Sequence, residues 1–246
     1  LAALGALAIV VGSVVALRQE RLKLLVAYST IAQIGYLFLM FPLAFGDGGL
    51  VHGDVLTGGV LQGISHATAK AGMFMAAGLV YAALGHDRIA ELAGVARAMP
   101  ITVVAFAVAG LALMGVVPSG AYLAKKLLLG AADGSGPWWW TVVLQGGAAF
   151  TAGYLVLFLA RVLRRAPAPL ILVRPVAVAR QIAALVLALS SRASAMAFTI
   201  GCSRVFIQVH FASDVVAGFA SGTAWLALCI GGIELSDQLR WRICAC

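Results

Sequence analysis

The sequence predicts an all-α, polytopic transmembrane bundle of about seven helices, one of them broken. Three observations carry this expectation. The 246 residues are 63% hydrophobic and only 11% charged, with a mean hydropathy of +1.03, which leaves too little polar surface for a water-soluble domain of this length. The apolar residues fall into runs of about 20, the helical length that crosses a hydrocarbon core of ~30 Å. Irregular backbone facing lipid would strand its peptide groups without hydrogen-bond partners, so such runs are read as helix.

In chain order, the runs predict helices at 1–17, 24–45, 55–84, 99–130 with a break, 138–161, 178–202 and 211–233. The first opens at Leu1 with no Met, no basic leader and no small-residue cleavage signal, so the chain reads as one whose start lies upstream. The fourth is interrupted by "GVVPSGAYLAKK" (115–126). There Pro118 removes a backbone donor and restricts the residue before it, while Gly115 and Gly120 relax the chain on either side. Two readings stand for this stretch: a discontinuous helix whose freed carbonyls face protein or a wet cavity, or a simple loop between two short helices.

The formal net charge of +8 is spread along the chain instead of forming one patch, which argues against a nucleic-acid partner and for topology. Arg18, Arg21, Lys23, Arg88, Arg97, Arg161, Arg164 and Arg165 fall at turns on one side. The opposite turns carry Asp47, Asp54 and Asp133 and no Lys or Arg. By the positive-inside rule the basic side is cytoplasmic, which puts Trp138, Trp139 and Trp140 at the outer interface and the C-terminal "LRWRICAC" inside.

Within the third run, "SHATAKAGMFMAAG" (65–78) places Lys70 about fifteen residues from either end, too deep for its ammonium to reach water along its own stem. His66 lies one turn earlier and Gln62 one turn before that, so Gln62, His66 and Lys70 form a polar stripe on one helical face. That stripe is expected to face protein or water. Burial disfavours the charged form of a lysine, so a nearby charge can tip it between protonated and neutral, and a side chain held that way can pass protons. A structural hydrogen bond to a neighbouring helix is the alternative. A second pair, Lys125 and Lys126, follows the helix break. Lys23 sits at a basic helix end, where a topological flank accounts for it on spacing alone.

"RLKLLVAYSTIAQIGY" (21–36), "SHATAKAGMFMAAG" (65–78), "DRIAELAGVARAMP" (87–100) and "MGVVPSGAYLAKKLLL" (114–129) together resemble, in order and spacing, the later half of the antiporter-like subunits of respiratory complex I and of Mrp-type cation/proton antiporters. The resemblance covers residues 1–165. It implies that Lys23, His66, Lys70 and Lys125 line a hydrophilic axis for protons, with other membrane subunits and membrane lipids as partners. Lys126 stands where that family more often has an aromatic, and the family's first half and final helix have no counterpart here.

A second constellation lies in "SRVFIQVHFASDVVAG" (203–218), where Ser203, Arg204, His210 and Asp214 follow the pattern SRxxxxxHxxxD. A carboxylate one turn after a histidine can orient and stabilise an imidazolium, and an arginine can neutralise a phosphoryl group. Such a set suits a histidine nucleophile attacking phosphorus, or else a polar loop whose charges meet the interface. The stretch resembles the last motif of the type 2 phosphatidic acid phosphatase and haloperoxidase superfamily over residues 176–233. That resemblance implies His210 as nucleophile, Asp214 as its partner and Arg204, with Ser203, as phosphate ligands. Ala121 after "PSG" and Pro167 before "VRP" depart from the superfamily's other motifs.

The Pro- and Arg-rich "RVLRRAPAPLILVRP" (161–175) and the confinement of Cys202, Cys229, Cys244 and Cys246 to the last fifth of the chain divide it into residues 1–165 and 166–246. The cysteines make neither a CxxC nor a metal-ligand spacing, and no nucleotide loop or haem motif is visible, so no cofactor is expected. Three functional readings follow: a proton-translocating membrane subunit in a bacterial-type inner membrane, a membrane phosphatase acting on a lipid or isoprenoid phosphate, or a fusion of two gene fragments competent in neither.

Overall fold

The computed structural model is an all-α bundle carrying one two-residue antiparallel pair, β1 (Phe45–Gly46) with β2 (Gly49–Leu50). It describes residues 1–46, 49–51, 53–134, 138–166, 170 and 172–206, without the side chains of 46, 50, 134 and 193–206. The helices are α1 (Ala2–Leu17), α2 (Leu22–Ala44), α3 (Gly53–Leu84), α4 (Val95–Ala98), α5 (Pro100–Met114), α6 (Gly120–Gly134), α7 (Trp139–Val162) and α8 (Val178–Phe206), with a 3-10 turn at Ile89–Glu91. The chain divides into two compact units, Leu1–Met196 and Ala197–Cys246. The expected helix at 211–233, Asp47, Cys229, Cys244 and Cys246 lie outside the described residues.

Among the described residues, three helices, α2, α3 and α7, are long and apolar enough to cross a membrane. The run expected at 99–130 is two helices. α5 stops at Gly115, which takes a left-handed φ of +92°. Its N–H bonds to the Ala112 carbonyl at 3.2 Å, and that of Val116 to the Leu111 carbonyl at 3.1 Å. A side chain at that φ would be strained, so glycine is the residue that lets the helix close there. α6 resumes at Gly120 after Pro118, where Ser119 Oγ accepts the N–H of Tyr122 at 3.2 Å.

α2 begins at Leu22, earlier than the apolar run alone predicts, because its N-terminus is capped from across the fold. The Asp87 carbonyl accepts the Leu22 N–H at 2.8 Å, and its carboxylate accepts that of Lys23 at 3.1 Å. Two helix donors that would otherwise be orphaned are thereby met. The same crossing pairs Arg21 with Arg88 and brings the Ile89 N–H to the Glu20 carbonyl at 2.8 Å.

One end of this unit therefore gathers the basic turns, with Arg164 joining through a 2.9 Å bond from the Gly94 N–H. The opposite end holds the β1–β2 pair, the start of α3 with Asp54, and Asp133, whose carboxylate accepts the Thr141 hydroxyl at 3.0 Å. Trp139 and Trp140 stack at the start of α7, with ring centroids 4.2 Å apart.

Close helix approach comes from small residues. A Cβ built on Gly12 of α1 would lie 2.6 Å from the Ala32 nitrogen, and one on Gly35 of α2 would lie 2.6 Å from the Gly5 carbonyl. Among helices in lipid, dispersion contact over such small-residue faces supplies what water-driven burial does not. α8 packs on the same bundle: Ala184 and Ala188 are buried, and the Ala188 backbone lies 3.2 Å from where a Cβ on Gly72 of α3 would stand.

Candidate functional site

α2, α3 and α7 meet along buried polar residues in an otherwise apolar bundle. α2 supplies Ser29, Gln33 and Tyr36, whose spacing puts them on one helical face; α3 supplies Gln62 and Lys70; α7 supplies Thr151 and Tyr154. All seven are buried, Lys70 with 4% of its surface exposed. The Lys70 ammonium donates to the Val26 carbonyl at 3.0 Å and to the Ser29 hydroxyl. An ammonium carries three donors, so one direction around Lys70 is left without a hydrogen-bonded oxygen among the described residues.

Towards the acidic end, Gln62 Nε2 donates to Gln33 Oε1 at 2.9 Å, Gln33 Nε2 to Thr151 Oγ1 at 3.1 Å, and Thr151 Oγ1 to the Gly147 carbonyl at 2.9 Å. One turn further, the Tyr36 hydroxyl donates to the Leu144 carbonyl at 3.1 Å, and the Lys125 ammonium stands 5.1 Å from the Tyr36 ring centroid. The polar residues thus run from Lys70 to Lys125 without leaving the interior.

Lys125, 7% exposed, reaches back over the helix break and donates to the carbonyls of Leu113 and Met114, each at 3.1 Å. These belong to the last turn of α5, where carbonyls lack intrahelical donors and the helix dipole is negative. The break and the lysine therefore satisfy each other. Lys126, the next residue, is exposed, so Lys125 is the member of the pair that enters the seam.

His66 is half-buried on α3. Its Nδ1, Gln62 Oε1 and Ser65 Oγ are buried and make no hydrogen bond among the described residues. Together they form a polar strip one to two turns from Lys70, of the kind that ordered water satisfies in proteins. Lys23 is apart from this seam: its ammonium lies over the Tyr81 ring, 3.9 Å from the centroid, at the basic end. Arg192, an unexpected charge within α8, is half-buried with its Nε unpartnered among the described residues.

Residue spacing pointed to Gln62 and Lys70 and left Gln33, Thr151 and Tyr154 unremarked. A glutamine, a threonine and a tyrosine scattered through apolar helices carry no periodic signal, and only the helix crossing brings them together. His210 and Asp214 lie outside the described residues, as do the side chains of Ser203 and Arg204.

Residues 1–151 match the family described as NADH:quinone oxidoreductase/Mrp antiporter, TM, and residues 146–235 match the PAP2 superfamily. NADH-quinone oxidoreductase subunit N of Desulforudis audaxviator is 36% identical over 154 residues, which is 61% of this chain and 29% of that protein. The Mrp complex from a Dietzia species contains a chain of the same fold, with a TM-score of 0.70 at 21% identity, covering 81% of this chain and 44% of that one. The membrane-bound sulfane sulfur reductase, an archaeal respiratory membrane complex, gives a TM-score of 0.66 at 26% identity over 80% of this chain and 31% of the other. The chain thus spans less than a third of the length of the curated relative and less than half of either solved chain.

Proposed function

Because the chain belongs to the NADH:quinone oxidoreductase/Mrp antiporter transmembrane family, we propose that residues 1–165 form a proton-conducting part of a membrane-embedded respiratory or antiporter assembly. Lys70 and Lys125 hold the protons, His66 and Gln62 accompany Lys70, and Lys23 marks the basic end. One observation carries the reading: two ammonium groups, both buried, stand at the two ends of one polar seam. A charge at bilayer depth costs several kcal/mol unless polar neighbours meet it, and retaining two of them on one seam fits a proton path better than a packing role.

The chemistry at Lys70 follows from its partner. A protonated Lys70 donates to Ser29 Oγ; a neutral Lys70 has a lone pair and can accept the Ser29 hydroxyl proton instead. Ser29 now donates to the Val26 carbonyl at 2.9 Å, so a rotation of one hydroxyl serves either state. At Lys125 the two backbone carbonyls can only accept, so the lysine is the donor to both.

The reading includes a bacterial-type inner membrane, the basic end on the cytoplasmic side, and neighbouring membrane subunits and lipids as partners. Its test is the 246-residue chain in vesicles with an internal pH dye and an imposed potential. Proton flux that falls in Lys70→Ala and in Lys125→Ala supports it; flux indifferent to both substitutions removes it.

The match of residues 146–235 to the PAP2 superfamily favours a second reading for residues 166–246. There His210 would attack phosphorus, Asp214 would orient it, and Arg204 with Ser203 would hold the phosphoryl oxygens of a lipid or isoprenoid phosphate. Phosphate release from a polyprenyl diphosphate, lost in His210→Ala, supports this; no release at any pH, as expected of two joined gene fragments, overturns it.

A further inference from the structure

Between Lys70 and Lys125, the groups able to hand on a proton are few. Amides of glutamine neither gain nor lose protons in the accessible range, so Gln33 and Gln62 fix hydrogen-bond directions without carrying anything. That leaves hydroxyls. Besides Ser65, which lies with His66 on the α3 strip, four hydroxyls line the seam, and three of these have their protons committed to backbone carbonyls: Ser29 to Val26 at 2.9 Å, Thr151 to Gly147 at 2.9 Å, and Tyr36 to Leu144 at 3.1 Å.

The fourth is Tyr154. Its hydroxyl is fully buried and lies among Thr151, Ser29 and Gln33, near enough to interact with each, yet closes no hydrogen bond of good geometry among the described residues. A buried hydroxyl without a settled partner is uncommon in a native fold and calls for an explanation. Here it stands between the serine that holds Lys70 and the threonine that ends the Gln62–Gln33 chain.

We propose that Tyr154 is the relay between the two lysine sites, its hydroxyl joining Ser29 to Thr151. In the step, the tyrosine oxygen takes a proton on a lone pair from one neighbour while its own O–H bond breaks towards the other. The side chain is neutral before and after, and a turn about its C–O bond resets it. Settled hydrogen bonds at the neighbouring hydroxyls hold the path open-circuited until each rotates off its carbonyl. α7 thereby contributes a working group to a path whose charged members sit on α3 and α6.

This rests on the proton-conducting reading above, and the same vesicle assay separates the two. Tyr154→Phe removes only the hydroxyl, and flux is expected to fall about a hundredfold or more, within the range a positioned proton-transfer group supplies. Thr151→Ser, which keeps the hydroxyl and loses a methyl, is expected to retain flux, whereas Thr151→Val, which keeps the shape and loses the hydroxyl, is expected to lose it. A packing role predicts the reverse order, so that order overturns the proposal even where Tyr154→Phe fails to insert. Full flux in Tyr154→Phe together with loss in Lys70→Ala also overturns it and leaves the broader reading standing. Flux unchanged in Lys70→Ala, or absent from the unmodified chain, ends both.

Discussion

The Lys125 ammonium lies 3.1 Å from the Leu113 carbonyl, joining the two halves of a helix that the backbone leaves unjoined. A lysine at this depth would ordinarily be a cost, and a helix end at this depth would be another. Each supplies what the other lacks: three donors on one side, unpaired carbonyls and a negative dipole end on the other.

Lys125→Met should loosen the end of α5. The thioether fills similar space and offers no donor, so the Leu113 and Met114 carbonyls lose a charge-assisted bond of about 2 kcal/mol. Amide hydrogen exchange at residues 111–116 should quicken by about thirtyfold, the rate equivalent of that loss. Lys126→Met, at the exposed neighbour, should leave the same amides unchanged.

The start of α2 should depend on a residue far away in sequence. Asp87→Ala removes the carboxylate that accepts the Lys23 N–H, at a cost of about 1 kcal/mol, as for a helix cap supplied locally. Asp87→Asn keeps a side-chain oxygen there and should recover most of it. Exchange of the Lys23 amide measures the difference, while the Leu22 amide, held by the Asp87 backbone, should respond less.

The α1–α2 contact should tolerate no bulk. Gly12→Leu would drive a side chain into the Ala32 backbone, where a Cβ already stands 2.6 Å from nitrogen, and overpacking of this kind costs about 1–3 kcal/mol or more. Gly63→Ala on α3 meets nothing within 4 Å and should instead stabilise by about 0.5–1 kcal/mol, because glycine is a poor helix former. Unfolding midpoints in an SDS titration should move in opposite directions for the two.

The helical class and the break at Pro118 were legible because both are local: run length, composition and a proline between glycines. Lys70 was legible because a charge in the middle of an apolar run stands out. The partners of Lys70 were not. Ser29 becomes its neighbour, and Tyr154 a neighbour of Ser29, through the crossing of α2, α3 and α7, and no spacing rule encodes a crossing. The adjacent Lys125 and Lys126 could not be told apart by position in the sequence; the phase of α6, set by packing of Ala124 and Leu128 into the core, turns one inward and the other out. The early start of α2 was hidden for the same reason, since its cap lies beyond α3.

α8 offers a test of how firmly the first part of residues 166–246 is bound into the bundle. The Thr102 hydroxyl of α5 donates to Gln181 Oε1 at 3.1 Å, and both residues are buried. Thr102→Val leaves Gln181 Oε1 unmet, Gln181→Leu leaves the Thr102 hydroxyl and the Val176 carbonyl without their partner, and each should cost about 1–3 kcal/mol. With both removed the seam between the helices is apolar on both sides, so the double variant should be more stable than the sum of the single losses predicts. A coupling of about 1 kcal/mol in a double-mutant cycle, read from SDS unfolding, is the expected result for a bond formed in the membrane-embedded fold. Additive losses would mean that α8 is held by apolar contacts such as that of Ala188 with Gly72 of α3, and that the polar pair contributes nothing to joining the segments.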